Sequence, residues 1–364
     1  QELVLGSRAS TATLTTDDFS DSRVAKLAIL RNGETQVLDD NSLGGGEVSG
    51  LLRFQNNDLN EGRNLLGRLT VAISTAMNTQ HKLGVDMDGN AGGDIFSPIT
   101  FSGQNVLQPS PPAFVNRGTA TLTMDIDDVT KFSASDYEIN FSGATAGTIT
   151  RRSDGTQTSF DFALTPTVVV DGLSLTQAGN ASAGDRFLLK PFTTSASNIS
   201  SQFASPRALA VANPWAGTMG TGNTGSLQQV KLTAQSLPTS PPPQPVTLTF
   251  ITASTYTRDD DPAGTVFDYV PGQSIEATMP DVPLTAPPTY SSPLVNWSLK
   301  LQGTPGIGDT FSIAVNAYPT LSSGNAQAIL DLRDAAMFDG AAMTDGFAGV
   351  ISQIGIRSQS ADYA

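Results

Sequence analysis

Apolar and polar positions alternate with a period of two at residues 24–30 and again at 35–38, which predicts strands. Asn32-Gly33 between the two runs is a two-residue hairpin signal. After Gly44-Gly45-Gly46 the period lengthens to that of a helix. Residues 47–54 read as a short helix, and Asp58 followed three residues on by Glu61 has the form of a capping box opening a second one. In that second helix, over 59–81, Leu59, Gly62, Leu66, Leu69, Ile73, Ala76 and Gln80 step by three and four, with Leu65 and Met77 beside them. The helix would be roughly 35 Å long at the usual rise per residue. A heptad-like seam of this kind needs partner helices, and the first half of the chain patterns none.

The partners appear at the far end. Residues 325–338 place Ala326, Ile329, Leu330, Arg333, Ala336 and Met337 on one side of a helix closed by Asp339-Gly340. Thr344 caps another, with Phe347, Val350, Ile351, Ile354, Ser358 and Ala361 at similar spacing. The expected helical core therefore joins Leu59, Leu66, Leu69 and Ile73 to Ile329, Phe347, Ile351 and Ile354. The fold class that follows is multidomain α+β. A discontinuous helix-rich domain comes from both chain ends (1–99 plus 322–364), with two inserted mainly-β units at 100–213 and 214–321.

The β units rest on short strand runs separated by turn residues, at 119–126, 136–141, 148–152, 168–177 and 185–190. Ser153-Asp154-Gly155-Thr156 has a hairpin Asp-Gly, and Pro and Gly crowd 213–225 and 241–243, marking a boundary near Asn213. The Gly-rich stretch 217–225 reads as a linker. The two units echo each other. Gly172-Leu-Ser-Leu-Thr-Gln-Ala-Gly, then Gly184-Asp185-Arg-Phe187, is matched by Asn296-Trp-Ser-Leu-Lys-Leu-Gln-Gly, then Gly308-Asp309-Thr-Phe311. In each copy Gly and Asp would make a turn, and the Phe would anchor the returning strand.

Composition narrows the chemistry. The chain has 364 residues, with 20 Lys plus Arg against 34 Asp plus Glu, a formal charge of -14. No basic stripe exists to meet phosphates, so nucleic acid is not an expected partner. There is no cysteine, which removes disulfides, thiolate nucleophiles and cysteine-ligated metals. No apolar run approaches the ~20 residues of a membrane helix, and no signal peptide is visible, so export would need a removed leader or a leaderless route. Gln1 is not an initiator and Ala364 falls in a helical pattern, so a longer protein is expected.

Candidate sites each have a plainer reading. Asp86-x-Asp88-x-Asn90 starts like a calcium loop, but Ala91 stands where that loop needs Gly and Ser97 where it needs a bidentate Glu, so an Asx turn fits better. His81 is the only histidine, at a helix end, and carries no triad or metal pattern. The acid pairs Asp39-Asp40 and Asp127-Asp128 and the run Asp259-Asp260-Asp261 read as solvated turns. Trp215 and Trp297 could stack on sugar, though Trp297 lies in the repeated strand. No catalytic residue, metal ligand or cofactor is assigned.

Several segments resemble flagellar hook-associated protein 1, the hook–filament junction family. They are Gly44-Gly-Gly-Glu-Val-Ser-Gly-Leu-Leu-Arg-Phe, Asn64-Leu-Leu-Gly-Arg-Leu, Ala76-Met-Asn-Thr-Gln-His, Gly84-Val-Asp-Met-Asp-Gly-Asn and Gly93-Asp-Ile-Phe. Ser135-Asp-Tyr-Glu-Ile, Gly184-Asp-Arg-Phe-Leu-Leu, Gly324-Asn-Ala-Gln-Ala-Ile-Leu-Asp-Leu and Gly349-Val-Ile-Ser-Gln-Ile-Gly-Ile-Arg continue it. The resemblance weakens over 215–293. It implies a structural, non-enzymatic component of the bacterial flagellum that lies outside the cell and is exported without a cleaved signal peptide. It also implies partners: other subunits of itself, the hook protein and the next junction protein, engaged through terminal helices absent here, so the chain alone would be monomeric. The β units would project outward as antigens. A secreted β-rich adhesin, or a module binding glycan or host protein, is the alternative reading.

Overall fold

The computed structural model of the chain describes every residue except 1–3, 6–7, 10, 32, 39–42, 44–45, 102, 112–113, 203–204, 262–263, 277–295 and 363–364. Asn32, the Asp39-Asp40 pair and Gly44-Gly45 therefore lie outside the described residues. The fold is multidomain α+β. Chain contacts group it into two compact units, one of 1–75, 98–200 and 334–364, the other of 76–97 and 201–333. The first β unit thus belongs with the helical segments of both chain ends.

The first unit opens with a small pair, β1 (Val4–Leu5) and β2 (Arg8–Ala9), and a three-stranded antiparallel sheet of β3 (Thr11–Thr15), β4 (Lys26–Arg31) and β5 (Glu34–Val37). Arg31 pairs with Glu34, leaving two residues for the turn, where Gly33 takes φ 86°. Next come helix α1 (Glu47–Arg53), a π-helical turn at Phe54–Asp58, and α2 (Leu59–Lys82). The sequence pattern starts a new helix at Asp58, but the backbone stays helical through it. The wide turn frees Asn56, whose carboxamide bonds the backbone N–H and C=O of Ala25 at 2.9 and 2.8 Å. Asp58 and Glu61, expected as a capping box, both pair with Arg357 instead.

Eight strands follow: β6 (Val106–Leu107), β7 (Thr121–Ile126), β8 (Tyr137–Phe141), β9 (Ala146–Arg151), β10 (Gln157–Asp161), β11 (Thr167–Val170), β12 (Leu173–Ala178) and β13 (Arg186–Leu189). A single helical turn, α3 (Ser195–Asn198), comes after them. Residues 168–177, patterned as one strand, form two. Asp171 and Gly172 adopt φ 47° and 75°, the left-handed pair that a two-residue hairpin turn needs, and Val170 then faces Leu173. Met124, Tyr137, Ile139, Ile149, Leu173, Leu175 and Phe187 fill the core between the sheets.

The second unit repeats this plan with β14 (Trp215–Met219), β15 (Gln228–Ala234), β16 (Val246–Thr252), β17 (Thr255–Arg258), β18 (Phe267–Asp268), β19 (Ser274–Glu276), β20 (Trp297–Gln302) and β21 (Thr310–Val315). The first set pairs as β10-β9-β8-β13-β6 and β11-β12-β7, the second as β18-β17-β16-β21-β14 and β19-β20-β15. Counted from one within each set, both give 5-4-3-8-1 and 6-7-2. The duplication seen in two short motifs therefore extends to all eight strands. Leu248, Phe250, Tyr256, Trp297, Leu299 and Phe311 occupy the second core.

Helix α4 (Gly324–Asp331) closes the second unit. The pattern carries it to Phe338, but it tightens into a 3-10 turn at Leu332–Asp334 and stops. Asp339 and Gly340, with φ 53° and 80°, turn the chain so that Phe338 bridges Ala341. That turn buries Met337 and Phe338, which outweighs further helix. The chain then returns to the first unit as α5 (Met343–Asp362).

Candidate functional site

Helices from the two chain ends meet in the first unit. Arg357 on α5 bonds Asp58 at 3.0 Å and pairs with Glu61, and a Cβ on Gly62 would lie 3.9 Å from Ile354. The two helices therefore run antiparallel. The expected seam is only partly enclosed. Leu69 is buried; Leu59, Ile73 and, in the second unit, Ile329 are half-buried. Leu66, Phe347, Ile351 and Ile354 are exposed by 43, 52, 54 and 36%. Val48 and Leu51 on α1 also reach solvent. Leu69→Ala is accordingly expected to cost about 2–5 kcal/mol, and Leu66→Ala or Ile354→Ala much less. Thermal unfolding of the three variants checks this ranking.

The buried side of α2 carries a polar row beside Leu65, Leu69, Val71 and Ala72. Asn60 and Asn64 donate to the two carboxylate oxygens of Asp136 at 2.9 and 3.1 Å. Arg68 donates to the Phe132 carbonyl at 3.0 Å and forks onto Asp339 at 3.1 and 3.0 Å. The ladder ends of β8 and β13 bring unpaired acceptors and charges to this surface, and burying them requires partners. Asn60, Asn64 and Arg68, four residues apart, supply those partners. Hydrophobic spacing carries no signal for this row.

Beside it lies an ion cluster with almost no solvent. Lys190 pairs with Asp21, stands 3.6 Å from Asp136, and reaches Asn60 at 3.4 Å, with side chains 3, 2 and 4% exposed for Lys190, Asp21 and Asp136. Burial opposes the charge on Asp21, but the Lys190 hydrogen bond and the Arg23 backbone N–H outweigh it and hold the carboxyl below its usual range.

The repeated Gly-Asp-x-Phe motifs build one device twice. Asp185 accepts the backbone N–H groups of Arg117, Gly118 and Ser182 at 2.8, 2.9 and 2.8 Å. Asp309 accepts those of Thr224, Gly225 and Gly306 at 2.7, 2.9 and 2.8 Å. Both carboxylates are buried and, with three donors each, held below the usual pKa range. Gly184 and Gly308 sit at the turns with φ 90° and 87°, and Phe187 and Phe311 are buried behind them. The stretch 217–225, expected as a linker, is strand β14 and then the roof of the Asp309 cage.

In the second unit, the Asn-Thr-Gln-His block forms a clamp. Asn78 brackets the backbone of Ile95 and Phe96, accepting two N–H bonds at 2.9 Å and donating one at 2.9 Å. His81 is buried between the Gly93 carbonyl and the Ala210 N–H, each 2.8 Å from a ring nitrogen. Asp86 accepts the N–H groups of Asp88 and Asn90 at 2.8 Å, so this carboxylate closes its own turn. Arg258 engages Asp260 and Asp261, Asp128 caps Thr130, and Trp215 and Trp297 are 4 and 2% exposed. None of these presents a stacking platform or a facing pair of carboxylates.

Residues 1–96 match the model of the flagellar hook-associated protein FlgK helical domain, and 114–191 that of the flagellar hook-associated protein 1, D2-like domain. Flagellar hook-associated protein 1 of Salmonella typhimurium is 34% identical over 171 residues, covering 46% of this chain and 29% of the relative. That of Escherichia coli K12 is 31% identical over 201 residues, covering 54% and 35%. The matched stretch thus spans about a third of these relatives. The structure of the flagellar hook junction protein FlgK from Burkholderia pseudomallei superposes with a TM-score of 0.77 at 27% identity, covering 99% of this chain and 68% of that one.

Proposed function

Because the chain belongs to the flagellar hook-associated protein 1 family, we propose that it is a structural part of the bacterial flagellum that joins hook to filament. The observation that carries this reading is the helical side of the first unit. Leu65, Leu69, Asn64 and Arg68 of α2 are buried, yet Leu66 on the same helix and Phe347 and Ile351 on α5 reach solvent. With Val48 and Leu51 of α1, exposed apolar positions on three helices suit side-by-side packing with further helices, where each buried Leu or Ile contributes about 1.5–3 kcal/mol.

The partners are other subunits of the same protein, the hook protein and the next junction protein, engaged through terminal helices beyond this sequence, so the chain alone stays monomeric. Its place is outside the cell, reached without a cleaved signal peptide. The division at 99/100, 213/214 and 321/322 gives a helical assembly domain and two outward-facing β units. Cosedimentation with isolated flagellar hooks tests the reading. The protein with its natural ends is expected in the pellet, and this chain alone in the supernatant. A full-length protein that stays in the supernatant would remove the junction role.

A further inference from the structure

The Pro-rich stretch near 241–243, expected at a domain boundary, lies inside the second unit, in the connector from β15 to β16. The duplication supplies its counterpart, because β7 and β8 hold the same places in the first set. That first connector has no proline and packs inward. Its Phe132 is 3% exposed, meets Phe192 edge-on and accepts Arg68 at its carbonyl. In the second connector, five of the eight residues 238–245 (Pro-Thr-Ser-Pro-Pro-Pro-Gln-Pro) are proline, and six of the eight are exposed.

Covalent geometry sets the conformation of this segment. Proline holds φ at about −65°, and a residue before proline is kept extended. Pro241, Pro242 and Gln244 each precede a proline, and the segment belongs to no helix or strand. It is therefore a short polyproline II rod, with three residues per turn. Burial follows that period. Pro243 is half-buried, while Pro241 and Gln244 on one ridge and Pro242 and Pro245 on another are exposed. One ridge thus rests on the β unit and two face solvent. Pro242 and Pro245 stand roughly 9 Å apart along the rod, so they border separate hollows, of about 300 and 490 Å³. The second hollow also carries Asp259 and Asp260, both exposed, whereas 235–246 hold no charge.

We propose that this rod is a docking segment for a protein that reads polyproline II through an aromatic-lined groove with a basic rim. A groove laid along such a rod meets two neighbouring ridges and leaves the third free, which is the arrangement here. The backbone is ordered in advance, so little conformational entropy is lost on binding. Asp259 and Asp260 at one end, on a chain of net charge -14, select Lys or Arg over Asp or Glu on the rim. The contact uses no residue of the helices assigned to assembly, so it stands apart from the junction role.

Purified SH3, WW and EVH1 domains, in two groups with basic and with acidic groove rims, serve as probes. Titrating labelled domains with this chain, read by fluorescence anisotropy, is expected to show saturable binding by the basic-rimmed group alone. Pro242→Ala together with Pro245→Ala should weaken it about tenfold or more, because the rod loses both contact rings and its preset backbone. Asp259→Asn keeps an acceptor for the Thr247 N–H and should weaken binding several-fold at low salt, less at high salt. Ile307→Ala, at a turn elsewhere and 82% exposed, should change nothing. All these positions are exposed, so the variants are expected to melt like the parent. No binding by any domain, equal binding by both groups, or binding that survives the double proline substitution would overturn the inference.

Discussion

Gly67→Ala is expected to destabilise the first unit by about 3 kcal/mol, the upper end for an added methyl group in a packed interior. The new Cβ would lie 1.9 Å from the Phe192 carbonyl oxygen and 2.7 Å from its carbon. Carbon atoms do not approach backbone this closely, so either α2 or the chain after β13 must move. Both are pinned, α2 by Asn60, Asn64 and Arg68, and the other by Lys190. A glycine whose added Cβ has open space supplies the control. Gly349→Ala meets nothing within 4 Å and should be neutral or gain up to about 1 kcal/mol from helix propensity. Calorimetric unfolding of the two variants checks this, and a Gly67→Ala protein melting like the parent would mean that α2 does not rest on Phe192.

Lys190→Met is expected to cost about 3–5 kcal/mol near neutral pH, because it leaves Asp21 and Asp136 buried without their cation. Its pH dependence separates it from ordinary loss of packing. In the parent, the depressed Asp21 pKa contributes stability above the ordinary carboxylate value of about 4. That contribution disappears as pH falls through the lower folded value. In Lys190→Met the same burial acts on Asp21 without a counter-charge, so it raises that carboxyl's pKa and favours proton uptake on folding. Between about pH 6 and 4 the variant should therefore gain stability while the parent does not. Melting temperatures across that range read the difference, and parallel curves would show that Lys190 does not neutralise this cluster.

The helices α1 and α2 and the duplicated Gly-Asp-x-Phe turns were legible along the chain, because each depends on residues close in sequence. The helical spacing from Leu59 to Gln80 and the Asp-Gly turns are local signals of this kind. The hairpin at Asp171-Gly172 carried the same signal inside a continuous apolar run, where its period was hidden.

What the sequence by itself determined was the long helices at Leu59–Lys82 and Met343–Asp362, and that two β units share a motif. Tertiary structure alone decided that the polar row Asn60, Asn64 and Arg68 of α2 turns inward beside Leu65 and Leu69. Hydrophobic period favours the Leu66 face, but Asp136, Lys190 and the Phe132 carbonyl arrive from residues far along the chain and must be paired once water is excluded. The polar row therefore turns inward, and part of the apolar seam is left at the surface. The full eight-strand duplication was likewise visible only in the pairing, because a ladder constrains backbone geometry and burial while leaving most side chains free to diverge.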